Sequence, residues 1–128
     1  MQRRVIVDTS SMLFGFSNGK DVFGLAMSRF GGSRIVISSG VLRELRGIAR
    51  NEGRRGAAAK AALKAVSLHR PMVSRASGSV DAWIEAEAND YKDAVVITND
   101  TELLKRLKRR RASVLLFKLS RSGLLKGF

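Results

Sequence analysis

Short apolar runs alternate with helical stripes along this chain. Val5-Ile6-Val7, Ile35-Val36-Ile37, Ala94-Val95-Val96-Ile97 and Val114-Leu115-Leu116-Phe117 are continuous and mostly β-branched. That is the pattern of strands covered on both faces, as in a parallel sheet. Met72-Val73, after Pro71, is a weaker candidate strand. Helical spacing lies between them. Val22, Leu25, Ala26 and Phe30 predict one helix, and Val41, Leu42, Leu45, Ile48 and Ala49 form a clear stripe for the next. Ala57 to Leu68, Asp81 to Ala88 and Thr101 to Arg109 predict three more, the last with Leu103, Leu104 and Leu107 inward. Asn99 followed by Glu102 fits a capping box at its start. This alternation predicts an α/β fold of three layers, α/β/α, around a central parallel sheet of about five strands. The tail, Ser120 to Phe128, reads as a loose end or a packing arm.

A length of 128 residues fits one compact domain, 1–128, which needs no disulfide or structural metal to fold. The chain has no Cys, which excludes a disulfide framework and a thiolate zinc site. Charge narrows the partners further. With 24 Lys+Arg against 11 Asp+Glu, the formal net charge is +13. Such an excess favours polyanions, nucleic acid first and an anionic membrane surface second. No apolar run reaches transmembrane or signal-peptide length, so the expectation is a soluble, cytoplasmic protein without a membrane role.

In open α/β sheets, ligands bind beyond the carboxyl ends of the strands. Asp8 follows the first predicted strand, and Asn99-Asp100 follow the strand ending at Ile97-Thr98. Those two strands would be neighbours at the switch point. Glu44 lies at the edge of its helix's apolar face. Asp81 lines up with Ile84, Ala88 and Tyr91 at helical spacing, as a carboxylate at the end of a buried line. Trp83 falls off that line, which places it at a partner surface or on a stacked base. Each acid also has a structural explanation. Asp81 and Asp100 suit helix starts, Asp8 suits a turn cap, and Glu44 suits a neighbouring Arg. Their convergence on one end of one sheet favours a shared role. Clustered carboxylates repel, and a hard cation such as Mg²⁺ or Mn²⁺ relieves them.

These residues resemble the motifs of PIN-domain nucleases. The resemblance rests on Val5-Ile6-Val7-Asp8-Thr9-Ser10, Glu44-Leu45, Asp81-Ala82 and Thr98-Asn99-Asp100-Thr101-Glu102-Leu103, in that order and spacing, and covers nearly the whole chain. It is nearest to the archaeal VapC-like proteins and the PIN nucleases of small-subunit ribosomal RNA processing. It implies a PIN-like fold and metal-dependent hydrolysis of RNA phosphodiester bonds by an endoribonuclease. By motif position it makes Asp8, Glu44, Asp81 and Asp100 the catalytic, metal-binding set, with Ser10, Thr98 and Asn99 as supporting polar residues. One departure stands out: many relatives carry two successive Asp residues where this chain has Val80-Asp81. One Mg²⁺ or Mn²⁺ is therefore expected, and a second only conditionally. The implied partners are RNA, an antitoxin protein or a ribosomal precursor, and a second copy in a homodimer.

An acidic pocket needs a basic surround to hold RNA. Arg43, Arg46, Arg50, Arg54 and Arg55 form one cluster. Lys105, Arg106, Lys108, Arg109, Arg110 and Arg111 form another. Both are candidates for phosphate contact, or else solvated helix faces. The single His69 lies away from the motifs, which argues against histidine-based cleavage. The competing reading is a non-catalytic RNA-binding or ribosome-assembly domain that retains the fold.

Overall fold

The computed structural model describes residues 2–76, 78–110 and 113–128. In chain order it runs β1 (Arg4–Val7), α1 (Thr9–Ser17), α2 (Val22–Arg29), β2 (Arg34–Ser38), α3 (Ser39–Ala49) and α4 (Gly53–His69). It continues β3 (Met72–Ser74), α5 (Val80–Asp90), β4 (Val95–Ile97), α6 (Thr101–Arg109), β5 (Leu115–Leu119) and β6 (Leu125–Gly127). The strands form one sheet in the order β3-β2-β1-β4-β5-β6. All neighbours are parallel except β5 and β6. The three-layer α/β/α expectation holds.

The innermost strands explain their own composition. Val5, Ile6, Val7, Val95, Val96 and Ile97 are wholly buried, with helices over both faces. β1 pairs with β2 on one side and β4 on the other, so the chain reverses direction across the sheet at β1/β4. That switch point sets the carboxyl ends of β1 and β4 side by side. The Asp8 N–H donates to the Ile97 carbonyl at 3.0 Å, which locks the two strand ends together.

The sequence pattern missed α1. Its segment TSSMLFGFS buries Thr9, Ser11, Met12, Leu13 and Gly15 around most of its circumference. A helix buried on nearly all sides shows no amphipathic stripe, and its Ser, Thr and Gly are weak helix formers. The sheet also has a sixth strand. The tail folds back through a turn in which Ser120 N–H donates to the Leu124 carbonyl at 2.8 Å and Gly123 takes φ +92°. It is a packing arm that closes the β5 edge.

Two further expectations need correction. The buried face of α5 is Val80, Trp83, Ile84, Glu87 and Ala88. The expected line through Asp81 and Tyr91 is therefore rotated by one position. Trp83 is buried in the core and is no surface platform, whereas Tyr91 is 36% exposed and lies beneath the Arg4 guanidinium. Glu87 disguised this face. It is buried because Arg4 Nε lies 3.2 Å from its carboxylate. The cap of α6 is also shifted. Asp100, not Asn99, is the N-cap and accepts from the Leu103 N–H at 3.1 Å. One close approach fixes the α3–α4 corner: a methyl group on Gly56 would overlap the Asn51 carbonyl.

Candidate active site

Asp8, Glu44, Asp81 and Asp100 come from the starts of α1, α5 and α6 and from the middle of α3, yet all four line one cleft of about 880 Å³. The cleft opens at the carboxyl end of the sheet, over the switch point. Thr9, Ser10, Leu13, Phe14, Val80 and Asn99 are among the other residues of its wall.

Asp8 is the most constrained of the four. Its Oδ1 accepts from the Thr9 N–H at 2.8 Å. Its Oδ2 accepts from the Ser10 hydroxyl at 2.9 Å and the Thr98 hydroxyl at 2.7 Å. Burial raises its carboxyl above the ordinary range. Those three hydrogen bonds oppose the rise, and repulsion from Asp81 adds to it. Every donor is neutral. Among the described residues no basic side chain is paired with Asp8.

The polar residues that hold Asp8 form a continuous network. Ser10 Oγ accepts from the Asn99 N–H at 3.0 Å, and Thr98 Oγ1 accepts from the Asp100 N–H at 3.0 Å. Asn99 clamps β5 by donating from Nδ2 to the Leu119 carbonyl at 2.9 Å and accepting the Leu119 N–H on Oδ1 at 3.0 Å. The Ser11 hydroxyl donates to that same Oδ1 at 2.8 Å. Ser10, Thr98 and Asn99 thus bind the ends of β1, β4 and β5 into one rigid floor.

The other acids are looser. Glu44 projects from α3 with its residue largely exposed, but its carboxyl is also raised. Partial burial is the main cause, and repulsion from Asp8 is next. The nearby Thr9 hydroxyl offsets part of this rise, although Thr9 Oγ1 completes no hydrogen bond among the described residues. Asp100 spends Oδ1 on its helix cap. Asp81 is 42% exposed and its Oδ2 lies 2.8 Å from Arg106 Nη2. Among the described residues, no three His, Cys, Asp or Glu side chains are already gathered closely enough to hold a metal ion.

The basic residues divide sharply. Arg54 and Arg55 line the cleft from the start of α4. Arg54 is fixed there, donating from Nε and Nη2 to the Ser17 carbonyl at 3.2 and 2.9 Å. Arg43, Arg46 and Arg50 are exposed on or beside α3 and are not part of the lining. None of Lys105, Arg106, Lys108, Arg109 and Arg110 lines the cleft either. Arg106 and Arg110 turn to α5 acids, Lys105 pairs with Glu102 at 3.8 Å, and Lys108 lies over the Phe128 ring. Arg111 lies outside the described residues. Arg121, on the β5–β6 turn, does line the cleft. Sequence reasoning missed it because the tail had no assigned element. His69 pairs with Asp21 at 2.8 Å, away from the cleft lining.

Comparison with known proteins identifies the family and agrees with the fold. A family described as PIN like domain matches residues 5–119. The chain belongs to the PIN-like domain family. It is 36% identical over 109 residues to Ribonuclease VapC9 of Archaeoglobus fulgidus, a match covering 84% of this chain and 78% of that protein. Among solved structures, the PIN domain endonuclease Utp24 superposes with a TM-score of 0.74 at 21% identity, covering 97% of this chain and 90% of the other. A domain of a functionally unknown protein from Methanocaldococcus jannaschii gives 0.63 at 19% identity, covering 92% and 93%. At those identities the structural matches speak to the fold alone. In this PIN-like domain, Val80 precedes Asp81 at the start of α5. It is buried in the α5 face and also borders the cleft. No helix among the described residues is long and apolar enough to cross a membrane.

Proposed function

We propose that this chain is a single-domain, metal-dependent endoribonuclease, 1–128, working at the Asp8 cleft. The observation that carries this is the pairing of four carboxylates on one floor with three arginines, Arg54, Arg55 and Arg121, lining the same cleft. Acids alone would repel RNA, and arginines alone would only bind it.

The donor set fits a hard divalent cation. Asp8 and Glu44 are oxygen donors with carboxyls raised mainly by burial, and neither forms a salt bridge among the described residues. A Mg²⁺ or Mn²⁺ ion would be held by Asp8, Asp100 and Glu44, with Asp81 joining once freed from Arg106. When bound, such an ion supplies Lewis acidity, making water a stronger nucleophile and neutralising charge on the phosphate. The chain does the rest. Thr98 and Ser10 aim the Asp8 carboxylate. Asp100 is fixed by its cap, and Arg54, Arg55 and Arg121 hold flanking phosphates without reading bases. With Asp81 engaged elsewhere, one ion is expected before a second.

Relationship to a protein named a ribonuclease supports RNA as the substrate. Two roles fit this chemistry: a toxin restrained by an antitoxin protein, or a processing factor on a ribosomal precursor. Co-purification of a small partner protein separates the first from association with pre-ribosomal particles in the second. The proposal includes a homodimer in the cytoplasm, which sedimentation and cell fractionation test.

The competing reading, a non-catalytic RNA-binding domain, draws on the Asp81–Arg106 pair and the ungathered acids. Incubating purified protein with labelled RNA and Mn²⁺ decides between them. Cleavage that stops with chelator supports the enzyme, and tight binding with no cleavage supports the alternative.

A further inference from the structure

Arg106 belongs to α6, yet its guanidinium sits between two acids of α5. Nη2 lies 2.8 Å from Asp81 Oδ2, and Nε lies 3.7 Å from Glu85 Oε1. Asp81 and Glu85 are one helical turn apart, so their carboxylates share a face. Arg110 Nη1 also approaches Glu85 Oε1, at 3.5 Å. The closer contact therefore goes to Asp81, the acid that lines the cleft, and the looser ones to Glu85, which does not line it.

We propose that Arg106 is a gate on Asp81: Asp81 ligates a cation in the cleft only when Arg106 leaves it for Glu85. This rests on the cleft being a cation site, and it assigns regulation of that site to two residues that never touch the cation. The geometry makes the exchange easy. Arg106 is 43% exposed and Asp81 42%, so the pair is a solvated contact and its loss is cheap. Glu85 is less exposed, at 24%, and already lies within 4 Å of Arg106. Arg106 can swing off Asp81 toward Glu85 and keep a partner. While it rests on Asp81 it does two things. It occupies a ligand oxygen, and it sets a positive charge beside the cation's place. Arg106 is thus a positioning residue acting through Asp81, and Glu85 is its landing point.

Calorimetric titration of the whole chain with Mn²⁺, without RNA, tests this. Arg106→Gln should tighten Mn²⁺ binding about fivefold, combining loss of a surface pair with loss of a nearby like charge. Glu85→Gln should weaken it about threefold, because Arg106 then stays on Asp81. In an Asp81→Asn background, Arg106→Gln should have a clearly smaller effect, only that of the lost like charge. Unchanged or weaker binding in Arg106→Gln overturns the gate. So does an effect that is undiminished without the Asp81 carboxylate, since that marks general electrostatics alone. Thermal melting of each variant confirms that the fold is intact. If neither the wild type nor Arg106→Gln binds Mn²⁺, the cation site itself is refuted and the gate with it. If both bind equally, the site survives and only the gate is lost.

Discussion

Asp8→Asn should make the metal-free protein more stable. The Asp8 side chain is buried with residue exposure of 5%, and its carboxylate is held by three neutral donors. Its pKa is raised, mainly by burial and less by Asp81, so ionisation costs the folded state more than the unfolded one. The sign follows from proton linkage. Below the ordinary carboxyl range both states are protonated and there is no penalty. As pH rises from there to the raised folded pKa, the unfolded chain releases its proton first and folding loses stability. At neutral pH the full penalty is present. Asparagine removes the charge and keeps the shape. Its Oδ1 can still accept from the Thr9 N–H, and the Ser10 and Thr98 hydroxyls can turn to accept from Nδ2. Replacing three charge-assisted hydrogen bonds by neutral ones costs part of the gain. A net increase of about 1 kcal/mol is expected, in the range of substitutions that relieve a strained functional site. For a domain of this size that is about 4 °C in Tm. The assay is thermal unfolding in chelator from about pH 3, below the ordinary carboxyl range, to about pH 8. The difference between Asp8→Asn and wild type should be near zero at the acid end and largest at neutral pH. A variant less stable than wild type at neutral pH, or a difference that ignores pH, refutes the reasoning.

Other perturbations read the site from different sides. Asn99→Ala removes two hydrogen bonds to the Leu119 backbone and the Ser11 contact. It should destabilise by about 3 kcal/mol, measured by urea unfolding, because it leaves part-buried groups unpaired. Removing Arg54, Arg55 or Arg121 singly should weaken RNA binding across all sequences and lower the slope of log affinity against log salt by about 1 each. Arg43→Ala and Arg109→Ala, off the cleft lining, should change that slope less when measured beside them.

The sheet was legible because its inner strands, Val5-Ile6-Val7, Ile35-Val36-Ile37 and Val95-Val96-Ile97, are continuous β-branched apolar runs. The strand ends then placed Asp8 and Asp100 together without any side-chain information. What stayed hidden has a common cause: burial that is not apolar, or order that is not periodic. The α1 helix is buried through Ser and Thr as well as Met12 and Leu13, so its face did not show. Glu87 masked the true inner face of α5 and sent Trp83 to the wrong side. Arg121 was invisible because a hairpin folded from Ser120 to Gly127 leaves little periodic trace. The lysines and arginines of α6 look like an RNA surface in one dimension. In three, Arg106 and Arg110 face Asp81 and Glu85.

The central claim is that the Asp8 floor cuts RNA with a divalent cation. Single-turnover cleavage of a labelled RNA, followed against Mn²⁺ concentration for wild type and Asp8→Asn, tests it most directly. Saturable, chelator-sensitive cleavage by wild type is predicted, with a loss in Asp8→Asn greater than the 100-fold or so that removing an outer-shell partner costs. Cleavage that persists in chelator, or an Asp8→Asn variant as active as wild type, would contradict it.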